Sequence, residues 1–321
     1  MKLGLITNCY RDKSWEEAAE AVKKAGLSAV EPNAGGYFGK KHCAPEKLLK
    51  DSDALKRFVD AYRSRDLELS GLSVHSNPLH PDPKIAKSHS EDIINTIKLA
   101  GRLEVKPVIG FAGCPGAGEN ATYPNWITCP WPSYFEEGIK WQWEKKAVPF
   151  WKNIAKILND NGAVFAFEMA PGDLVYNPET LLLLREAVGE EICCNFDPSH
   201  LFYQGIDTFT AIKKLGGLIV YVHAKDAKLD EDVVRWRGVN DWKSYGDVLN
   251  RAWVYRTCGY GHDTLWWNSF ISCLRLVGYD GVISIEHEDT LMTVEEGLNK
   301  AISFLKGVFI YQGLGVKWWE T

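Results

Sequence analysis

The chain has 321 residues, 45% of them hydrophobic and 25% charged, with a net charge of −5 at pH 7. That length suits one large α/β barrel or two smaller domains, and the composition is ordinary for a soluble globular protein and carries no basic footprint, so nucleic-acid partners are set aside. No apolar run approaches the ~20 residues needed to cross a bilayer, which sets membrane partners aside as well.

The opening "MKLGLITNCYRDK" goes straight into a strand-like run, without the basic and apolar segments of a secretory signal, and the cytoplasm is the expected compartment. The cysteines are scattered or, at Cys193 and Cys194, adjacent inside a strand-like run; no CxxC pair exists, so they read as reduced and no thiolate zinc site is expected.

Strand-like runs and helical periodicity then alternate to the end. Residues 2–8 form the first predicted strand. Ser14 and Glu17 make a capping-box pair, Trp15, Ala18, Ala19 and Val22 share a helix face, and Gly26 is a plausible stop. Strands are predicted over 27–32, 67–75 and 106–113, with helices marked by Leu55, Phe58, Val59 and Tyr62, by Ile93, Ile94, Ile97 and Ala100, and over about 136–160. The second half adds strands at 163–168, 192–197, 218–223 and 281–286. Its helices run over 177–188, from about Asp207, over 265–277, and along a face of Val294, Leu298, Ala301, Ile302 and Leu305. Eight strand–helix units predict an α/β fold, a (β/α)8 TIM barrel in a single domain spanning residues 1–321. A doubly wound open sheet is the runner-up, weakened because no G-x-G-x-x-G follows the first strand.

Two connections, from Cys114 to about Phe135 after strand four and from Lys225 to about Asp263 after strand seven, are too long for turns. They carry Trp126 and Trp131, and Trp236, Trp242 and Trp253, and in a barrel both lie on the catalytic C-terminal face.

The last four strands end at Glu168, Asp197, His223 and Glu286. A lone acid at a strand end is more often a cap or a surface residue. Four consecutive strand ends converging on one point would leave charges too close to solvate separately, and a divalent cation resolves that conflict. The oxygen-rich set with no thiolate favours Mn²⁺ or Mg²⁺, with Co²⁺ or Zn²⁺ as alternatives.

In this order, "FEMAPG", "NFDPSHL", "VHAKD" and "SIEHEDTLM" resemble the xylose isomerase-like barrels of sugar phosphate isomerases and epimerases, over essentially the whole chain. The resemblance implies Glu168, Asp197, His223 and Glu286 as metal ligands, His200 beside the metal as a substrate contact, and Glu168 and Glu286 as the groups that move protons. "YPNWITCPWP", "WQW" and "RTCGYGHD" look like a longer branch that includes the large subunits of bacterial C-glycoside deglycosidases, which cleave 3-oxo sugar conjugates with a small partner subunit. An oligomer, with or without such a subunit, is expected.

Isomerisation, epimerisation and elimination share one step, loss of a proton beside a carbonyl, in which a metal stabilises the enediolate and a carboxylate or imidazole takes the proton. His75, at the end of strand three, is a candidate base or hydroxyl contact; the plainer reading is a hydrogen-bonded rim histidine. Asp226, Arg256 and His262 are candidate substrate contacts, against a loop cap and a structural salt bridge. Trp126 and Trp131 are candidate walls for a sugar or an aglycone, against burial at the barrel or a partner. Lys225 reads as solvated, His80 and His89 as surface residues, His287 or Glu288 as orienting a neighbouring ligand, and "KWWET" at 317–321 as a docking element.

The leading expectation is a divalent-metal-dependent sugar isomerase or epimerase acting on a keto-sugar. A lyase on 3-oxo-glycosides is the alternative and a non-catalytic sugar-binding module the third. Metal-assisted hydrolysis, as in barrel endonucleases, is opposed by only 8 histidines and the negative charge.

Overall fold

The computed structural model describes residues 1–313, Gly315 and Trp319. Apart from Trp319, the terminal docking element lies outside these residues. The short β-branched and aromatic runs become strands β1 (Lys2–Ile6), β2 (Ala29–Glu31), β3 (Glu68–Leu69), β4 (Leu72–Ser73), β5 (Pro107–Gly110), β6 (Val164–Glu168), β7 (Ile192–Phe196), β8 (Ile219–Ala224), β9 (Asp226–Leu229), β10 (Trp253–Arg256) and β11 (Val282–Ile285). Nine of them form one parallel sheet in the order β3-β2-β1-β11-β8-β7-β6-β5-β4.

The two edge segments belong to one predicted strand. Residues 67–75 break at Ser70 and Gly71, so β3 pairs with β2 and β4 pairs with β5. A bridge from Asn33 to Ser73 brings the two edges together, which makes a nearly closed TIM barrel. Gly71 sits at the break because a Cβ there would meet the Ile109 side chain at 2.4 Å. Ser70 at the same point donates to the Val30 carbonyl and meets the Tyr221 hydroxyl at 2.7 Å.

The helices lie outside the sheet, at the expected places. The Ser14–Glu17 capping box forms, and Trp15, Ala18, Ala19 and Val22 of the helix Trp15–Lys24 are buried. Asn177 and Asp207 cap the helices Pro178–Val188 and Thr208–Leu215. In the last helix, Val294–Val308, the expected face is buried except for Val294, which is 40% exposed at the first turn. Among the described residues no helix is long and apolar enough to cross a membrane.

Inside the barrel, alternation decides what reaches the top. Successive side chains of a strand point to opposite faces, so every second residue faces inward. Ala29, Ile109, Ala166, Tyr221 and Val282 form a small interior layer of their own. Two residues further on from four of these come Glu31, Glu168, His223 and Ser284. The same spacing carries β7 from Asn195 to Asp197, and β11 from Ser284 to Glu286. The small lower layer fills the barrel, and the polar residues stack above it at the C-terminal ends of the strands.

Both long connections are structured. The first is pinned by Gln142, buried in a wide helical turn, whose amide donates to the Pro115, Gly116 and Asn125 carbonyls at 3.2, 3.2 and 2.7 Å. The second folds into the antiparallel hairpin β9–β10 with a helix, Glu231–Arg237, between its strands.

Candidate metal and active site

The four strand-end residues converge. Glu168, Asp197, His223 and Glu286 are all buried, and each offers a ligand atom within 4.8 Å of the others. Oxygen and imidazole donors at this spacing match a hard or borderline divalent cation. Asp197 Oδ2 is buried and accepts no hydrogen bond, although Lys225 Nζ at 3.2 Å and His200 Nε2 at 3.4 Å lie within ion-pair range. A buried carboxylate oxygen without a donor fits a site built for a cation, and the residues present therefore suit a divalent metal.

Each donor is fixed from behind. His223 presents Nδ1 to Glu168 Oε2 at 2.8 Å and to Glu286 Oε2 at 3.4 Å. Its other nitrogen, Nε2, meets the two Glu31 oxygens at 3.0 and 3.2 Å. Glu31 is fully buried and also accepts from the Tyr221 hydroxyl at 3.0 Å and from Ser73 Oγ. A carboxylate behind a ligand histidine orients the ring and raises its basicity. Glu168 Oε2 accepts from Asn195 at 2.8 Å and meets His75 Nε2 at 3.1 Å, while Oε1 meets His200 Nε2 at 2.9 Å. Asp197 Oδ1 accepts from the Ser199 amide at 2.8 Å, and Glu286 Oε1 accepts from Asn8 at 3.3 Å.

Burial alone would raise these carboxylates, but the groups that face them prevail. His75, His223 and His200 hold Glu168 well below the usual carboxylate range, and Lys225 does the same for Glu286. Burial pushes His223 down, yet Glu31 and Glu168 together lift it well above an ordinary imidazole. Lys225 is likewise lifted by Glu286, Glu288 and Asp197 against the cost of burial.

The expectation of a solvated Lys225 is corrected here. Its side chain is 3% exposed and its ammonium lies 2.7 Å from Glu286, 3.4 Å from Glu288 and over the Tyr255 ring at 4.8 Å. The local clustering of acids draws it inward, since an unpaired set of buried carboxylates would be costly.

Of the other candidates, His75 and His200 line a cavity of about 170 Å³ together with Glu168, Lys225 and Glu286. His75 Nδ1 is buried without a partner. His200 Nδ1 meets the Tyr255 hydroxyl, delivered by β10, at 3.1 Å. Phe38, Phe111, Ala170 and Pro171 supply the apolar wall.

Asp226, Arg256 and His262 do not line this cavity. Asp226 Oδ2 accepts from the Gly259, Gly261 and His262 amides at 3.1, 3.1 and 3.0 Å and from Trp267 Nε1 at 3.3 Å. Its Oδ1 meets His262 Nδ1 at 2.7 Å, and the His262 ring lies between 4.0 and 4.7 Å from Phe202 and Trp266. Arg256 donates to Asp289 at 3.1 Å. These three hold the return of the second long connection, so their polar groups are spent on the fold. Trp126 packs edge-on to Tyr176 at 5.4 Å and Trp131 is 78% exposed; neither lines the cavity.

Sequence reasoning missed Glu31, Asn195 and Tyr255. Glu31 carried a signal: it ends β2 two residues beyond inward-facing Ala29, the pattern that places Glu168 beyond Ala166. Asn195 likewise stands two residues before Asp197. Tyr255 sits in the short "WVYR" run of a long connection, a strand signal that foretold nothing of its contact with His200.

Together these features define a TIM barrel with an acidic, metal-capable cluster at its C-terminal face. The chain belongs to the xylose isomerase-like TIM barrel family, whose sequence model matches residues 19–308. The uncharacterized protein YfiH of Bacillus subtilis (strain 168) is 37% identical over 309 residues, 95% of this chain and 98% of that protein. Among solved structures, a 3-keto-D-glucoside 4-epimerase from E. coli superposes with a TM-score of 0.66 at 12% identity, covering 96% of this chain and 99% of that one. A D-tagatose 3-epimerase-like protein superposes with a TM-score of 0.62 at 20% identity, covering 96% and 98%.

Proposed function

We propose that this protein is a divalent-metal-dependent isomerase or epimerase that removes a proton beside the carbonyl of a keto-sugar. One observation carries the reading: two buried, ionised carboxylates, Glu168 and Glu286, share a 170 Å³ cavity with His75 and His200. A cation held by Glu168, Asp197, His223 and Glu286, Mn²⁺ being the best match to the donors, supplies a Lewis acid for the carbonyl and a neighbouring hydroxyl.

The chain's own residues do the rest. Lys225 and the imidazoles keep Glu168 and Glu286 deprotonated, which leaves each an open acceptor at the cost of basicity. Asn195 and His75 fix Glu168 Oε2, and His200 fixes Oε1, so the carboxylate cannot rotate away from the substrate carbon. The unpartnered His75 Nδ1 is placed to hydrogen-bond a sugar hydroxyl. Phe38, Phe111 and Pro171 limit water around the carbanion.

The 3-keto-D-glucoside 4-epimerase of the same fold acts on a keto-sugar derivative by its printed name, which supports this substrate class. The same proton abstraction also opens β-elimination, so the product decides between epimerase, isomerase and lyase. The test is incubation of a keto-sugar panel with the Mn²⁺-loaded protein in D₂O. Deuterium should enter the carbon beside the carbonyl, and Glu168→Gln and chelation should each abolish it. Absence of deuterium from every keto-sugar would refute the reading.

A further inference from the structure

Lys225 stands apart from the other groups around the metal-capable cluster. Its ammonium lies 2.7 Å from Glu286 Oε2, 3.2 Å from Asp197 Oδ2 and 3.4 Å from Glu288 Oε2. The first two carboxylates are donors of the cluster, and Lys225 is not. The Tyr255 ring lies over the ammonium at 4.8 Å. Among the described residues no other lysine or arginine comes within ion-pair range of Glu168, Asp197 or Glu286.

The remaining groups in that range are the imidazoles of His75, His200 and His223. An imidazole gives up its proton when a metal takes its place. An ammonium that is 3% exposed and surrounded by acids keeps its charge. Any cation held by the four donors therefore shares Asp197 and Glu286 with one permanent positive neighbour.

That neighbour acts on a cation in two opposed ways. By drawing Asp197 and Glu286 together it shapes the donor set, a service of equal value to every ion. By repelling the ion it sets a penalty, and Coulomb's law makes that penalty proportional to the ion's charge. Glu168, Asp197, His223 and Glu286 are all buried, so water and salt screen the repulsion weakly. The two effects are separable, because only the second distinguishes a divalent from a trivalent ion.

We propose that Lys225 determines the charge of the metal this site accepts: its fixed positive charge disfavours a trivalent ion more than a divalent one, so selectivity lies with a residue that is not a donor. The inference rests on the metal site of the preceding reading and not on enolisation. It gives the buried lysine a task that the donor set alone does not perform, since carboxylate oxygens accept hard cations of either charge.

The experiment titrates Mn²⁺ and Tb³⁺ separately into the wild type, Lys225→Met and Lys225→Arg. Calorimetry reads Mn²⁺, luminescence sensitised by the neighbouring tyrosines reads Tb³⁺, and circular dichroism checks folding. Lys225→Met keeps the reach of the side chain and loses its charge. It binds Mn²⁺ roughly tenfold tighter and Tb³⁺ roughly thirtyfold tighter, because the logarithm of the gain scales with the ion's charge. Lys225→Arg keeps the charge and the wild-type ratio of the two affinities. Lys225→Gln, which retains a donor for Glu286, gives the same pattern as Lys225→Met should that variant not fold. A merely structural lysine predicts the opposite sign, with both affinities falling together in the uncharged variants. The proposal is overturned by that fall, by unchanged affinities, or by a gain for Tb³⁺ no larger than the gain for Mn²⁺. A folded wild type that binds neither ion would refute the metal site itself, and this inference with it.

Discussion

Replacing Glu31 by Gln probes the part of the site furthest from the reacting atoms. The side chain keeps its shape and loses its charge. In the wild type three donors point at the Glu31 oxygens: His223 Nε2 at 3.0 Å, the Tyr221 hydroxyl at 3.0 Å and Ser73 Oγ. An amide offers one acceptor where the carboxylate offered two, so at least one buried donor is left facing an N–H₂ group, which costs about 1–3 kcal/mol of stability. The carboxylate behind a ligand histidine contributes about 10–100-fold to metal affinity, which is about 1.4–2.7 kcal/mol. Loss of Glu31 also eases deprotonation of His223, which partly offsets that deficit at low pH. As pH rises, proton competition fades in the wild type as well, so the gap in Mn²⁺ affinity widens. Calorimetric Mn²⁺ titration of both proteins across several pH values, with thermal unfolding as the check on folding, reads all of this. A folded E31Q protein whose Mn²⁺ affinity stays within about twofold of wild type at every pH would show that Glu31 does not support the ligand face of His223.

Two further substitutions separate site from scaffold. Asp226→Asn should lower stability by about 2–4 kcal/mol, through loss of a buried carboxylate that gathers four donors on one oxygen, while Mn²⁺ affinity stays near wild type. A large fall in metal affinity with stability unchanged would contradict the scaffolding role. Burial pushes the Asp173 carboxyl up to about 7, against the Gly113 and Val175 amides that hold it at 2.8 and 3.1 Å. A carboxyl with a raised folded pKa contributes stability that is full below about pH 4 and lost as pH rises through about 7. Relative to Asp173→Asn, the wild type should therefore lose up to about 4 kcal/mol between pH 4 and pH 7, read by denaturant unfolding; parallel stability curves for the two proteins would contradict it.

Much of this site was legible because barrel geometry turns sequence position into space. Period-two alternation in "AFE", "NFD", "YVH" and "ISIE" places each final residue inside the barrel, and parallel neighbours bring those ends together. Composition and spacing therefore sufficed for Glu168, Asp197, His223 and Glu286. Glu31 was harder because its partner lies across the barrel: β2 and β8 are separated in the sheet by β1 and β11. The break in the third strand follows from the approach of Ile109 to Gly71, a contact between strands that no single strand encodes. The second long connection misled for a different reason. Asp226, Arg256 and His262 carry the residue types of a binding site, yet a connection that folds into a hairpin needs the same groups to satisfy its own backbone. That hairpin delivers Tyr255 to His200, a contact set by tertiary packing alone.

The most direct measurement is anomalous diffraction from crystals grown with Mn²⁺. The account predicts one strong peak per chain, bound by Glu168, Asp197, His223 Nδ1 and Glu286, that disappears in Asp197→Asn. No peak at that point, or a peak held by other residues, would contradict it.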